Sequence, residues 1–292
     1  NRGIIACANL FQALCFRLTP VPGDVTHTAV TVTGYQGLSV RADVFEPAGA
    51  AGALPGLLYV HGGAFSYKAA AYHKKLACTY AARASCRVYF PDYHLTPRHP
   101  YPAAYYDVLS LYQYMLRHAP RLGIQAERIG MAGDSAGASI AALICNNYAR
   151  ENLRPPCLQM LVYPLTDISM RTDSMERFSD TPLWNAKNNR RMWRYYCGNL
   201  SAEDARGASP MHSRLPQIIP DAYIETAEYD CLHDEGVIYA QKLRDAGANV
   251  QLNETKGTIH GYDCAFHSQI AARAIETRIS FLKKGFRGGA PL

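Results

Sequence analysis

No apolar run in this 292-residue chain approaches the roughly 18 residues that a membrane span requires. It also has no Cys-x-x-Cys pair, no long run of consecutive basic residues, no internal repeat and no low-complexity tract. Each absence removes a class of protein. Without a long apolar run, no segment reads as a membrane span. The nine cysteines, at positions 7, 15, 78, 86, 145, 157, 197, 231 and 264, show no metal-ligand spacing. Their odd number, with several inside apolar runs, points to reduced, buried thiols in a cytoplasmic protein; a secreted protein with some disulfides is the weaker alternative. No metal and no cofactor are expected. The net charge of +6 is spread along the chain, with only short pairs such as Arg190-Arg191 and Lys283-Lys284. A nucleic-acid-binding stripe would cluster its cations, so no nucleic-acid partner is expected. Residues 4–16 are apolar, but Arg17 follows and residues 18–22 lack a small-x-small cleavage site, which favours an ordinary amphipathic helix over a signal peptide.

What is present is concentrated in Gly133-Asp134-Ser135-Ala136-Gly137. A short apolar run, 129–132, precedes it and a helix-forming run, 136–148, follows. Glycine two residues either side of a serine, at a strand-to-helix junction, is what a nucleophile elbow requires. The turn is tight enough for side chains at the flanking positions to collide with neighbouring backbone, so glycine is favoured there. The serine hydroxyl then stands exposed above the sheet. Upstream, His61-Gly62-Gly63-Ala64 follows the apolar run 56–60, which reads as a buried central strand. A loop of small residues lets backbone N–H groups point into a cavity and hold an oxyanion, to which Ala136 adds its own N–H. Gly62, Gly63, Ala64 and Ala136 are therefore the candidate oxyanion hole.

Two further residues complete the constellation. Asp230 follows the strand-like run 221–227, and His260 lies in a glycine-flanked loop after the strand-like run 249–253. Serine, acid, histidine is the chain order expected of a Ser-Asp-His relay on a doubly wound sheet, and each member sits where a strand has just ended. Six histidines precede the serine and break that order. His212 precedes the acid-bearing strand, His233 is too close to Asp230, and His267 falls in a helical run. For the acid, Asp230 at the strand end is preferred, but Asp234, one helical turn on, is the competitor; it begins or caps the helix running to Ala246.

The ordered set resembles the hormone-sensitive-lipase-like branch of the α/β-hydrolases. The matching pieces are His61-Gly62-Gly63-Ala64-Phe65, Asp92-Tyr93-His94-Leu95-Thr96-Pro97, His99-Pro100-Tyr101-Pro102-Ala103-Ala104, the elbow, Ala227-Glu228-Tyr229-Asp230 with Leu232, Asp234, Glu235 and Gly236, and His260-Gly261. They thread most of the chain from about residue 40 onward. In that family the acid is the first aspartate of the Asp-x-Leu-x-Asp-Glu-Gly block, 30 residues before the histidine, a spacing that Asp230 and His260 keep. The chain departs from the family pattern at Ala64, usually a third glycine, at Cys231, usually proline, and at His94 and Arg98, usually arginine and glutamate. The resemblance implies a serine carboxylesterase acting on short- to medium-chain esters through an acyl-enzyme; an amidase, peptidase or lactonase using the same residues is the alternative. It also implies that N-terminal helices help cover the site, and that a dimer, where one forms, uses the sheet edge near 249–253. Monomer and homodimer are both expected states.

The fold class expected is α/β, with a mostly parallel central sheet flanked by helices and a helical cap. Residues 28–33 and 38–45 read as an antiparallel pair, and strands then alternate with helices from residue 57 to 165. The core is expected at 27–165 and 216–292, with residues 1–26 a helical segment forming part of the cap. Between them, residues 166–215 break the alternation and read as a lid. Its Trp184 and Trp193 are the candidate substrate-binding residues.

Overall fold

The computed structural model describes residues 2–288. Its strands are β1 (Val25–Thr33), β2 (Ser39–Pro47), β3 (Leu54–Val60), β4 (Arg87–Pro91), β5 (Ile124–Asp134), β6 (Leu158–Val162), β7 (Asp221–Ala227) and β8 (Val250–Thr255). They build one sheet in the order β1-β2-β4-β3-β5-β6-β7-β8. β1 pairs with β2, and β2 with β4, antiparallel; every other pairing is parallel. The α/β-hydrolase sheet, mostly parallel and flanked by helices, is the fold observed, with strand ends a few residues from those read off the sequence.

Strand alternation divides the core into two layers. Leu58 and Val60 of β3 face α3 (Ala103–His118) and α4 (Ala136–Asn147), with α8 (His233–Asp245) further along the same face. Leu57 and Tyr59 point the other way, against α2 (Ala71–Ala84) and α9 (Gln269–Gly288). The central strands are buried on both faces and read as continuous apolar runs, whereas β2 keeps an in-out pattern at its solvent-facing end. α4 is buried on all sides from Ala136 to Asn146. A helix so enclosed has to be apolar round its whole circumference, and its alanines and Gly137 let it sit close against the sheet.

The remaining helices lie over the carboxyl ends of the parallel strands. α1 (Arg2–Leu18) precedes the sheet, and α5 (Asp173–Arg177), α6 (Ala186–Cys197) and α7 (Ala202–Arg206) fill the connection between β6 and β7. α5 and α6 begin with side-chain caps: Thr172 accepts from Met175 N–H and Asn185 from Asn188 N–H. Among the described residues, no helix is long and apolar enough to cross a membrane.

Candidate active site

β5 ends at Asp134 and α4 begins at Ala136, leaving Ser135 alone in the turn with φ 52° and ψ −120°. That backbone position is unfavourable for a residue with a side chain and is held by its surroundings. The Ser135 N–H donates to Val162 O at 2.9 Å. The glycines on either side are explained by contact. A Cβ on Gly137 would stand 2.1 Å from Val60 O, and one on Gly133 2.5 Å from the Gly137 carbonyl.

Ser135 Oγ lies 2.9 Å from His260 Nε2, and His260 Nδ1 lies 2.6 Å from Asp230 Oδ2. The other Asp230 oxygen accepts the Leu232 N–H at 3.0 Å. Ser135, Asp230 and His260 come from loops at the carboxyl ends of β5, β7 and β8 respectively. The last two loops are laced together, since Tyr229 N–H donates to Thr258 O (2.8 Å) and Gly257 N–H to Glu228 Oε2 (2.6 Å). Asp234 is turned elsewhere: its carboxylate takes the Ser174 N–H at 2.7 Å and meets the His233 ring. Of the two aspartates, Asp230 alone reaches His260. With Nδ1–H donating to Asp230, the lone pair of Nε2 faces the serine hydroxyl, the arrangement needed to take its proton.

The loop after β3 stands beside this chain of residues. Gly63 and Ala64 line the same cavity as Ser135. The Ala136 N–H opens α4, where helical N–H groups have no partner within the helix. Gly62 has to be withdrawn from the expected oxyanion set, because its N–H is already given to Asp134 Oδ2 at 3.0 Å. Ala64 adopts φ 55° and Phe65 φ 53°. The position where Ala64 replaces the usual glycine is thus left-handed, a conformation that costs an L-residue about 1–2 kcal/mol.

Asp134 itself escaped notice in the sequence, as did His73. The Asp134 carboxylate accepts from Gly62 N–H, from the Tyr59 hydroxyl (3.0 Å) and from His73 Nε2 (3.1 Å). His73 Nδ1 accepts the Ala70 N–H at 2.9 Å, which fixes the ring proton on Nε2 and makes His73 a donor to Asp134. Burial raises the Asp134 carboxyl, but His73 and the hydrogen bonds from His73 and Tyr59 outweigh it and hold it below the ordinary value. His61 is fully buried and stacked on Tyr93, its Nδ1 2.6 Å from Gly62 O. Burial, then the neighbouring His73, lowers its pKa to about 4.

Beneath His260 runs a second buried network. The Tyr163 ring centroid is 4.6 Å from that of His260, and its hydroxyl donates to Asp263 Oδ1 at 2.6 Å. Arg278 joins Asp263 (2.7 Å) to Glu225 (2.5 Å), and all three are buried. Burial would raise Glu225, yet the Arg278 charge and hydrogen bonds from Arg278, Tyr223 and Tyr262 hold it below the usual range.

A cavity of about 530 Å³ opens in front of Ser135 and His260. α1 contributes Ile5 and Gln12, and α6 contributes Asn188 and Met192. Trp184 is on its wall, with its ring centroid 5.9 Å from that of His260. Trp193, expected beside it, is not. Its position on α6 turns the indole inward, onto Phe65 (6.5 Å) and Tyr196 (6.1 Å). Among the described residues, no group of three or more His, Cys, Asp or Glu side chains could hold a metal ion.

Comparison with known proteins bears on this geometry. A family model described as "alpha/beta hydrolase fold" matches residues 57–264. The chain is 32% identical over 264 residues to carboxylesterase NlhH of Mycobacterium tuberculosis, covering 86% of this chain and 80% of that protein. It is 34% identical over 210 residues to esterase LipI of the same organism, covering 71% of this chain; it spans only 65% of the length of LipI. Among solved structures, a bacterial heroin esterase superimposes with a TM-score of 0.88 at 27% identity, covering 99% of this chain and 94% of the other.

Proposed function

The chain belongs to the α/β hydrolase fold family, and from that footing we propose that it is a serine carboxylesterase working on short- to medium-chain esters. The observation that carries this reading is the unbroken relay Ser135–His260–Asp230, with contacts of 2.9 and 2.6 Å, at the floor of a half-enclosed cavity. The relatives named as esterases support the reaction class.

In this mechanism His260 Nε2 removes the Ser135 proton as the oxygen attacks the ester carbonyl. Asp230 keeps the ring proton on Nδ1 and stabilises the imidazolium that forms. The N–H groups of Gly63, Ala64 and Ala136 receive the negative charge on the carbonyl oxygen; losing one such donor costs on the order of 10²–10³ in rate. His260 then protonates the leaving alcohol, and a water molecule repeats the two steps to free the acid. Neutrality of His61, whose pKa of about 4 lies far below working pH, keeps a cation away from the loop that aims these donors. We assign α1 and residues 166–215 the role of a cap, since both supply walls of the cavity, and Trp184 that of an apolar contact to substrate. The free thiols, six of them buried, fit a cytoplasmic setting.

The test is a chain-length series of p-nitrophenyl esters on the wild-type protein and Ser135→Ala, with fluorophosphonate labelling of both. The expected result is rapid turnover of short esters, a loss on the order of 10⁶ in the variant, and an adduct on the peptide carrying Ser135 alone. Equal turnover by the two proteins, or an adduct elsewhere, overturns the assignment. Hydrolysis of an aryl acetate but not of its anilide separates an esterase from an amidase.

A further inference from the structure

Half of the large apolar side chains that the described residues leave exposed lie on one helix. Ile4, Leu10, Phe11, Leu14 and Leu18 of α1 are 53–75% exposed, and Leu183 beside the cavity is 68% exposed. At 100° per residue these α1 positions, with the exposed Cys7, fall within an arc of about 120°. Positions 4, 7, 11, 14 and 18 repeat at alternating steps of three and four, the spacing of a single apolar seam. The opposite face is the one that holds the helix down. Asn9 donates to Ser66 O (2.9 Å) and accepts the Lys68 N–H (2.8 Å), Phe16 stacks on Phe90 (5.6 Å), and Ile5 is buried. α1 is therefore apolar on the side turned to solvent as well as on the side turned to the protein. A helix of that kind is normally covered.

The two helices themselves carry charge of one sign. α1 and α6 contain no acidic residue. On α6, Lys187, Arg190, Arg191 and Arg194 follow the steps i, i+3, i+4 and i+7, which puts all four on one stripe of about 100°. Among the described residues, none of the four and not Arg17 makes an ion pair. Both elements line the cavity, to which the seam contributes Ile4 and the stripe Arg191, with Leu183 beside them. An apolar seam bordered by unpaired cations is the pattern of a helix lying in the headgroup region of an anionic bilayer, with its apolar side chains about 5–10 Å deep.

We infer that α1 and the cationic stripe of α6 form a docking surface for an anionic phospholipid membrane, with the cavity mouth turned toward the lipid. A second copy of the chain on the same seam is disfavoured by charge, because a twofold axis there would bring like-charged stripes toward one another and press Ile4, at the cavity mouth, against the partner. Docking does not depend on the chemistry of Ser135. Delivery of a membrane-dissolved ester to Ser135 does, and it rests on the proposed esterase reading.

The test is sedimentation with vesicles of phosphatidylcholine alone and of phosphatidylcholine mixed with phosphatidylglycerol, using wild type, Phe11→Glu/Leu14→Glu and Lys187→Gln/Arg190→Gln/Arg194→Gln. The expected result is binding to the anionic vesicles, weakened by salt, abolished in the first variant and reduced about fivefold per cation removed in the second. Both variants should hydrolyse p-nitrophenyl acetate in free solution at the wild-type rate, since none of these side chains reaches the cavity. Absence of binding to anionic vesicles overturns the inference, as does a wild-type dimer that Phe11→Glu/Leu14→Glu converts to monomer without any vesicle binding. Inactivity of all three proteins toward the soluble ester, with vesicle binding intact, counts against the esterase reading and leaves the docking surface standing.

Discussion

Asp230→Asn is the substitution that isolates the role given to His260. The Asp230 carboxylate serves two donors at once, Leu232 N–H on Oδ1 (3.0 Å) and His260 Nδ1 on Oδ2 (2.6 Å), in a fully buried position. An amide has one accepting end. If its oxygen stays on Leu232, its NH₂ faces Nδ1, which must then accept, and the ring proton moves to Nε2. There it points at Ser135 Oγ, 2.9 Å away, and the hydroxyl has no base. If the amide is reversed, two donors meet at Leu232, an unsatisfied buried contact costing about 1–3 kcal/mol. That cost limits the productive tautomer to roughly one molecule in five to one in a hundred and fifty. The neutral amide also gives up the charge that stabilises the imidazolium. Together the two losses should lower kcat by on the order of 10³–10⁴, with the melting temperature little changed because shape is kept. The assay is p-nitrophenyl acetate hydrolysis, with the rate of fluorophosphonate labelling as a second readout. Asp234→Asn, whose partner is Ser174 N–H, is the control and should stay within a few-fold of wild type. An Asp230→Asn protein within tenfold of wild type would refute the tautomer reasoning.

Three other perturbations test the surroundings. Gly137→Ala places a methyl 2.1 Å from Val60 O and 2.5 Å from His61 O, both backbone atoms with nowhere to go; the expected loss exceeds about 4 kcal/mol, and a variant that melts with the wild type in a calorimetric scan would show that the elbow is looser than drawn. Arg278→Met leaves Glu225 and Asp263 buried without their cation, so stability should fall by about 3–5 kcal/mol and the melting temperature by roughly 10 °C; a change under a degree or two would mean that the two carboxylates share a proton instead. His61, with its pKa lowered from 6.5 to about 4 by burial, stays neutral in the folded chain where the unfolded chain is protonated. The unfolded state then binds more protons between about pH 4 and 6.5, so stability rises with pH across that window, by up to about 3 kcal/mol. Chemical unfolding at a series of pH values should show this slope, and His61→Asn should flatten it.

What the sequence disclosed was whatever depends on neighbours along the chain. Strands and helices from β3 to β6 were legible because buried parallel strands are apolar runs and the helices between them fill the intervals. The glycines at 62, 63, 133 and 137 were legible because tight turns leave few residue types possible. The strand-end position of Asp230 favoured it over Asp234 in the sequence, but the contact with His260 itself depends on how the loops after β7 and β8 are laced, at Tyr229 with Thr258 and Gly257 with Glu228. The same holds for the two tryptophans. They stand nine positions apart, and only the phase of α6 against Phe65 turns Trp193 inward while Trp184 stays on the cavity wall. The left-handed backbone at Ala64, by contrast, lies in a local turn in which the carbonyl of Gly63 takes both the Ser66 and the Tyr67 N–H groups.

Asp134 shows how long-range contacts make the elbow and the loop after β3 a single unit. Val60 and Gly133 are register partners on adjacent parallel strands, so the loop leaving β3 and the turn leaving β5 start side by side. Asp134 then ties them: its carboxylate holds Gly62 from the loop, Tyr59 from the strand before it and His73 from α2. Three donors converge on one side chain. A carboxylate accepts them all, whereas an amide does so only if Tyr59 turns its hydroxyl to accept and leaves its own proton unpaired in a buried site. A Cβ at Gly62 would fall 2.3 Å from Asp134 Oδ2, so the same contact that demands an acid at 134 demands glycine at 62. The residue between Gly133 and Ser135 is therefore chosen by the loop about seventy residues upstream: the position of the proposed oxyanion donors and the position of the serine are tied by one set of hydrogen bonds.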